Sequence, residues 1–137
     1  MMRNNSFLVF SILLLLAIGN PGHLFSQEAD VKSDKYLIEP EDFKSSIEKK
    51  NAVILDVRTP EEFEEAHVVG AINIDYKDEN FPDEIQKLDK GKKYFIYCRS
   101  GKRSANSRKI MNELGIKKVY DLNGGIIAWK KQEYPIQ

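Results

Sequence analysis

Short apolar runs alternate with amphipathic stretches along most of the chain. Tyr36-Leu37-Ile38, Val53-Ile54-Leu55 ending at Asp56, Ala71-Ile72-Asn73-Ile74, Tyr94-Phe95-Ile96-Tyr97 and Val119-Tyr120 are rich in β-formers and too short for helices. They predict five strands. Helical spacing appears between them. Pro40 opens a predicted helix to about Lys49, with Phe43 and Ile47 on one face. Thr59-Pro60-Glu61-Glu62 reads as an N-cap, a proline at the first helical position and acids at the positive helix end, for a short helix to about Ala66. A third helix runs from about Pro82 to Leu88, pairing Ile85 with Leu88. From Ser104 a fourth carries Ile110, Met111 and Leu114 on one face, with Gly115 as its C-terminal cap. After the turn Asn123-Gly124-Gly125, Ile126 to about Lys131 forms the last, with Ile127 and Trp129. Strands alternating with helices predict an α/β layer structure with a mainly parallel central sheet. Such sheets bind ligands outside the carboxyl ends of their strands, and Cys98 directly follows the clearest strand.

The first residues follow a different pattern. Met1 to Asn5 carry Arg3 as their one charge, and Phe7 to Ile18 are 12 residues that are apolar apart from Ser11. That is the length of a signal-peptide core, whereas a membrane-spanning helix needs about 20 residues. Asn20, Pro21 and Gly22 break the run, and Ser26 is small enough to precede a cleavage site. Residues 1–26 are therefore expected to be a secretory signal peptide, cut between Ser26 and Gln27 or kept as an anchor. The mature protein is expected to be exported, periplasmic or extracellular, with no stable membrane association after cleavage. Residues 27–35 read as a flexible lead-in and 36–137 as the folded domain. Cleavage leaves 111 residues with 20 basic and 21 acidic side chains, enough for one hydrophobic core. The whole chain is balanced at 21 against 21, which argues against nucleic-acid binding through phosphate neutralisation. One cysteine and two distant histidines, His23 and His67, exclude an intramolecular disulfide and argue against a zinc cluster; no metal or organic cofactor is expected.

The chemistry concentrates in Cys98-Arg99-Ser100-Gly101-Lys102-Arg103-Ser104, between a strand and a helix. A tight loop there turns backbone N–H groups towards one point, and the positive end of the following helix adds to them. Gly101 permits backbone angles that other residues resist. Arg99, Lys102 and Arg103 add three cations. All of these favour a thiolate over a thiol. The expectation is an ionised nucleophile in an anion-binding cup. The alternative is a small buried hydrophobe at a strand end. An unpaired thiol in an oxidising compartment is a liability unless it is buried or used.

Three blocks resemble a single-domain rhodanese, a sulfurtransferase domain, over about Tyr36 to Ile136. They are Ile54-Leu55-Asp56-Val57-Arg58-Thr59-Pro60-Glu61-Glu62-Phe63, continuing through His67-Val68-Val69-Gly70-Ala71-Ile72-Asn73-Ile74; the Cys98 to Ser104 loop; and Leu122-Asn123-Gly124-Gly125-Ile126-Ile127-Ala128-Trp129. The resemblance implies a three-layer rhodanese-like fold: a mainly parallel five-stranded sheet with helices on both faces. It implies that Cys98 takes a sulfane sulfur from a small anionic donor such as thiosulfate, forming a persulfide. The outer sulfur then passes to a thiol or cyanide acceptor, or to a redox protein. The N–H groups of residues 99–103 would hold the persulfide, making Arg99, Ser100, Gly101, Lys102 and Arg103 the substrate-binding set. Related phosphatases use Cys-x5-Arg; here Arg103 gives Cys-x4-Arg and Ser104 takes the sixth position, a smaller loop that favours sulfur over a phosphoryl group. The remaining alternative is a partner-dependent sulfur relay with little turnover on thiosulfate.

Asp56, Arg58 and Ser104 are expected to support the loop. Asp56 and Arg58 either orient substrate or form a structural ion pair, with Arg103 or the Glu61-Glu62 turn as possible partners. Arg103 faces either the cup or Asp56. His67 reads as a packed hydrogen-bonding residue rather than a base, Trp129 as core, and Glu61, Glu62, Glu64 and Glu65 as a solvated acidic face. Two departures from the family pattern bear on the site: Ser100 stands where some thiosulfate-preferring members have a cation, and Ala66 where a glycine is frequent.

Overall fold

The computed structural model describes residues 34–137. The expected signal peptide and most of the lead-in lie outside them; of the lead-in, Asp34 and Lys35 are described, and the Asp34 carboxylate is held by Arg108. The element order is β1 (Leu37–Ile38), α1 (Pro40–Ile47), β2 (Ala52–Asp56), α2 (Pro60–Glu65), β3 (Ile72–Asn73), α3 (Phe81–Gln86), β4 (Lys93–Tyr97), α4 (Lys102–Glu113), β5 (Val119–Leu122) and α5 (Gly125–Lys131). One five-stranded sheet has the order β1-β5-β4-β2-β3, and every pairing is parallel.

The central strands are buried on both faces, as parallel strands must be when helices cover each side. Alternation along them divides the core. Leu55, Val57, Tyr94, Ile96 and Val119 pack with Phe81, Ile85 and Met111 under α3 and α4. Ile54, Phe95, Tyr97 and Leu122 pack with Phe43, Ile126 and Trp129 under α1 and α5. By this period of two, Cys98 and Asp121 both point to the α4 side.

Most boundaries differ from the sequence reading by one or two residues. The difference that matters is at α4, which begins at Lys102 and not Ser104. Gly101, at φ +123°, is its N-cap, so the chain turns into the helix sooner after the cysteine and brings Ser104 into the first turn. β5 runs two residues further than expected, through Asp121 and Leu122; a lone aspartate interrupts its apolar pattern.

Candidate active site

The loop after β2 leads to β3 on one side, and the loop after β4 leads to β5 on the other. A crevice opens where the two directions diverge, at the carboxyl ends of β2 and β4. Cys98 stands there, immediately after β4. Its Sγ accepts hydrogen bonds from the Gly101 N–H at 3.0 Å and the Ser104 hydroxyl at 3.4 Å. The residue is 1% exposed. The sulfur is thus covered by its own loop and faces polar donors there, while apolar neighbours line its other side. Sequence reasoning expected amides from all of residues 99–103 around the sulfur; the backbone donor that reaches Sγ is Gly101's. Ser104, expected as support, touches the sulfur directly. Arg99, Ser100 and Lys102 are exposed on the outer rim.

Two devices hold the loop. From below, α5 presents its first amides to the chain at the cysteine. The Ile126 N–H donates to the Cys98 carbonyl at 2.9 Å and the Ile127 N–H to the Arg99 carbonyl at 3.3 Å. This approach requires glycine at 125: a Cβ there would stand 2.4 Å from the Arg99 carbonyl oxygen, and φ is +61°. From the side, Arg103 forms a two-bond fork to Glu62, at 2.7 and 2.8 Å. Its guanidinium therefore pairs with Glu62 and not with Asp56, correcting that alternative. Glu62 is already oriented by the capping box with Thr59, accepting from the Thr59 N–H while the Thr59 hydroxyl accepts from its own N–H. The Arg103 fork, with the Thr59 amide, holds the Glu62 carboxyl down at about 2 despite partial burial. Glu62 is not part of a purely solvated acidic face; the Thr59-x-x-Glu62 spacing was the signal that marked it.

Asp56 and Arg58 pair with each other. The guanidinium contacts both carboxylate oxygens, with 2.6 Å to Oδ2, and donates to the Ala66 carbonyl at 2.7 Å. Both residues are buried, and Asn73 ties their carbonyls together. This is a buried ion pair that joins β2 to the end of α2. Its partners are neither Arg103 nor the Glu61-Glu62 turn, and its side chains are 5% and 0% exposed. His67 stacks on Phe63 at 3.7 Å and its Nδ1 meets the Phe63 carbonyl at 2.7 Å, a packing arrangement.

The residues 39–132 match the family model for the rhodanese-like domain. The chain belongs to the rhodanese-like family. This rhodanese-like domain is 33% identical over 84 residues to a thiosulfate sulfurtransferase, GlpE, of Coxiella burnetii, covering 61% of this chain and 77% of that one. It is 36% identical over 95 residues to a tRNA uridine(34) hydroxylase of Cytophaga hutchinsonii, covering 67% of this chain but only 30% of the relative. Among solved structures, a rhodanese-related protein of Thermoplasma volcanium superposes with a TM-score of 0.66 at 30% identity, covering 74% of this chain and 96% of that one. The five-stranded parallel sheet flanked by helices is the rhodanese-like fold.

Burial also singles out Asp121, which sequence reasoning did not mark. It is 1% exposed, and burial pushes its carboxyl up to about 6. A signal was present: a lone acid in a strand adjoining the cysteine strand. At the opposite pole, a cleft of about 920 Å³ is lined by Lys49, Lys50, Lys92, Lys93 and Lys118, and none of the residues of the cysteine loop borders it.

Proposed function

We propose that the domain is a sulfurtransferase that moves a sulfane sulfur from a donor such as thiosulfate to a thiophilic acceptor through a Cys98 persulfide. The observation that carries this reading is the single cysteine at the end of β4, with a backbone N–H and a hydroxyl directed at its sulfur at the head of a 12-residue helix. Those groups and the helix end stabilise negative charge on Sγ. The sulfurtransferase relative supports the same reading.

In the first step the Cys98 thiolate attacks the outer sulfur of thiosulfate. The sulfur–sulfur bond of the donor breaks, sulfite leaves with the electron pair, and a Cys98 persulfide remains. In the second, cyanide or a thiolate attacks the outer sulfur of that persulfide, and the electron pair returns to Sγ. Nothing is oxidised or reduced beyond the two sulfur partners. Arg99 and Lys102 on the rim attract the anionic donor. Arg103 is paired with Glu62, so its guanidinium charge is already partly neutralised before any donor arrives.

Cys98→Ser is expected to abolish thiocyanate formation while leaving the domain folded. Intact mass after thiosulfate treatment should show one added sulfur on the wild type and none on the variant. An unmodified wild type across several sulfane donors would overturn the reading. A second reading, a relay loaded and unloaded by a protein partner, is favoured by the near-complete cover over Sγ. It would show as slow turnover with cyanide alongside fast exchange with a persulfidated protein thiol.

A further inference from the structure

The amino end of the sheet carries charge that sulfur transfer at the other end does not use. Three neighbouring parallel strands begin there. Lys49 and Lys50 precede β2, Lys92 and Lys93 lead into β4, and Lys118 stands just before β5. The register sets them side by side. Ala52 lies opposite Lys93 and Tyr94 opposite Val119, so Lys93 and Lys118 each stand one residue before a matched pair on adjacent strands. The Tyr94 N–H donates to the Lys118 carbonyl at 2.9 Å, which fixes that approach. All five lysines line one cleft of about 920 Å³, within the size of a small-molecule site.

We propose that this cleft is a binding site for a small linear polyanion of the short polyphosphate kind. Like charges on adjacent strands repel one another, and gathering them at one opening costs stability unless something neutralises them. Among the described residues none of the five ammonium groups forms an ion pair. Two carboxylates, Asp42 and Asp89, line the same cleft, and Asp89 is turned to its own loop, where it accepts from the Gly91 N–H at 2.8 Å. Five cations against two acids leave a surplus of three positive charges. A ligand with three or more closely spaced negative charges matches that surplus, whereas a single phosphate engages only part of the row.

The lining also says what kind of polyanion fits. Lysine ammonium groups are compact charges on flexible stems, without the planar fork of arginine, so the site reads charge density and not a fixed shape. All five lysines are exposed, which leaves their heads free to follow a chain of phosphates. Aromatic rings border the cleft at Phe95 and Tyr120, but they stack on each other at 5.1 Å and 15°, and Phe95 is 4% exposed. Its ring is spent inside the protein and offers no open face to a nucleobase. The last turn of α1 borders the cleft through Ser45 and Ser46. The carbonyls at that helix end oppose an anion, which places the ligand on the side of Lys92, Lys93 and Lys118.

The test is calorimetric titration of the protein with sodium tripolyphosphate at about 0.05 M salt, a measurement that involves neither Cys98 nor a sulfur donor. One molecule should bind per chain, with affinity falling steeply as salt rises towards about 0.15 M. Lys93→Gln combined with Lys118→Gln should weaken binding about tenfold. Lys87→Gln combined with Lys109→Gln removes the same charge from α4 and the end of α3, on the other face of the sheet, and should weaken it less than about twofold. Orthophosphate at equal ionic strength should bind at least about tenfold more weakly than tripolyphosphate. The Lys93/Lys118 variant should unfold at no lower temperature than wild type, since its substitutions relieve repulsion. Absence of binding by the wild type would overturn the proposal. So would equal losses in the two double variants, which would reduce the effect to net charge, or orthophosphate binding as tightly as tripolyphosphate. Tighter binding of a glutamate-rich peptide would make the cleft a protein-docking surface instead. A larger loss in Arg99→Gln combined with Lys102→Gln would move the anion to the cysteine loop, and a lowered unfolding temperature in the Lys93/Lys118 variant would make those lysines structural; each of these also overturns it.

Discussion

Gly125 is the residue on which the position of Cys98 most directly depends. Its Cβ would meet three backbone atoms of Cys98 and Arg99 at 2.4 to 2.6 Å, and backbone cannot swing aside as the tip of a side chain can. Gly125→Ala is expected to cost about 3 kcal/mol of stability, from overpacking and a disfavoured φ; thermal unfolding measures it. The variant should also lose alkylation reactivity at Cys98 in whatever fraction stays folded. Gly124→Ala is the comparison: its Cβ would crowd the Ala128 side chain at 2.8 Å, away from the loop, so it should affect stability more than reactivity. Two carboxyls, one buried and one partly exposed, respond to pH with opposite sign. Asp121 is pushed from 3.8 up to about 6, so its ionisation in the fold is disfavoured and a stability penalty accrues as pH rises through that window. Glu62 is held from 4.5 down to about 2, so its contribution is complete above 4.5 and disappears as pH falls towards 2.

At the scale of elements, the Arg103–Glu62 fork joins the first turn of α4 to the first turn of α2. Both side chains are partly exposed, so solvent screens the pair, and Glu62→Gln is expected to cost only about 1 kcal/mol near neutral pH, capping box included. Urea unfolding should show that difference closing as pH falls from 4.5 towards 2. A gap that stayed constant would mean the fork is energetically silent. Most of the elements were legible because period-two runs and proline N-termini are local signals: β4, α1 and α2 fall within a residue or two of their expected places. The cysteine loop was legible as a candidate site because glycine and cations crowd one strand end. The partners were not. Whether Arg103 meets Asp56, the cup or Glu62 depends on how α2 and α4 pack, and residues 41 positions apart carry no periodic trace of it. Asp121 escaped for a related reason: its burial comes from the packing of β5 against β4, which a single strand's sequence does not contain.

At the scale of the whole molecule, formal charge is balanced but unevenly placed. Arg99 and Lys102 lie at the carboxyl end of the sheet, and five lysines line the cleft at the other end. Under the proposed function, with Arg103 paired, steering of an anionic donor to the sulfur would fall to Arg99 and Lys102. Lys102→Ala is expected to lower kcat/KM for thiosulfate about threefold at low ionic strength, with the difference disappearing once the Debye length falls below about 8 Å. An equal loss at high salt would assign Lys102 a contact role instead. The amides of Ile126 and Ile127 that secure the cysteine loop come from the last helix. Any state in which α5 leaves the sheet therefore strips two hydrogen bonds from the Cys98 and Arg99 carbonyls and loosens the bend that holds the sulfur.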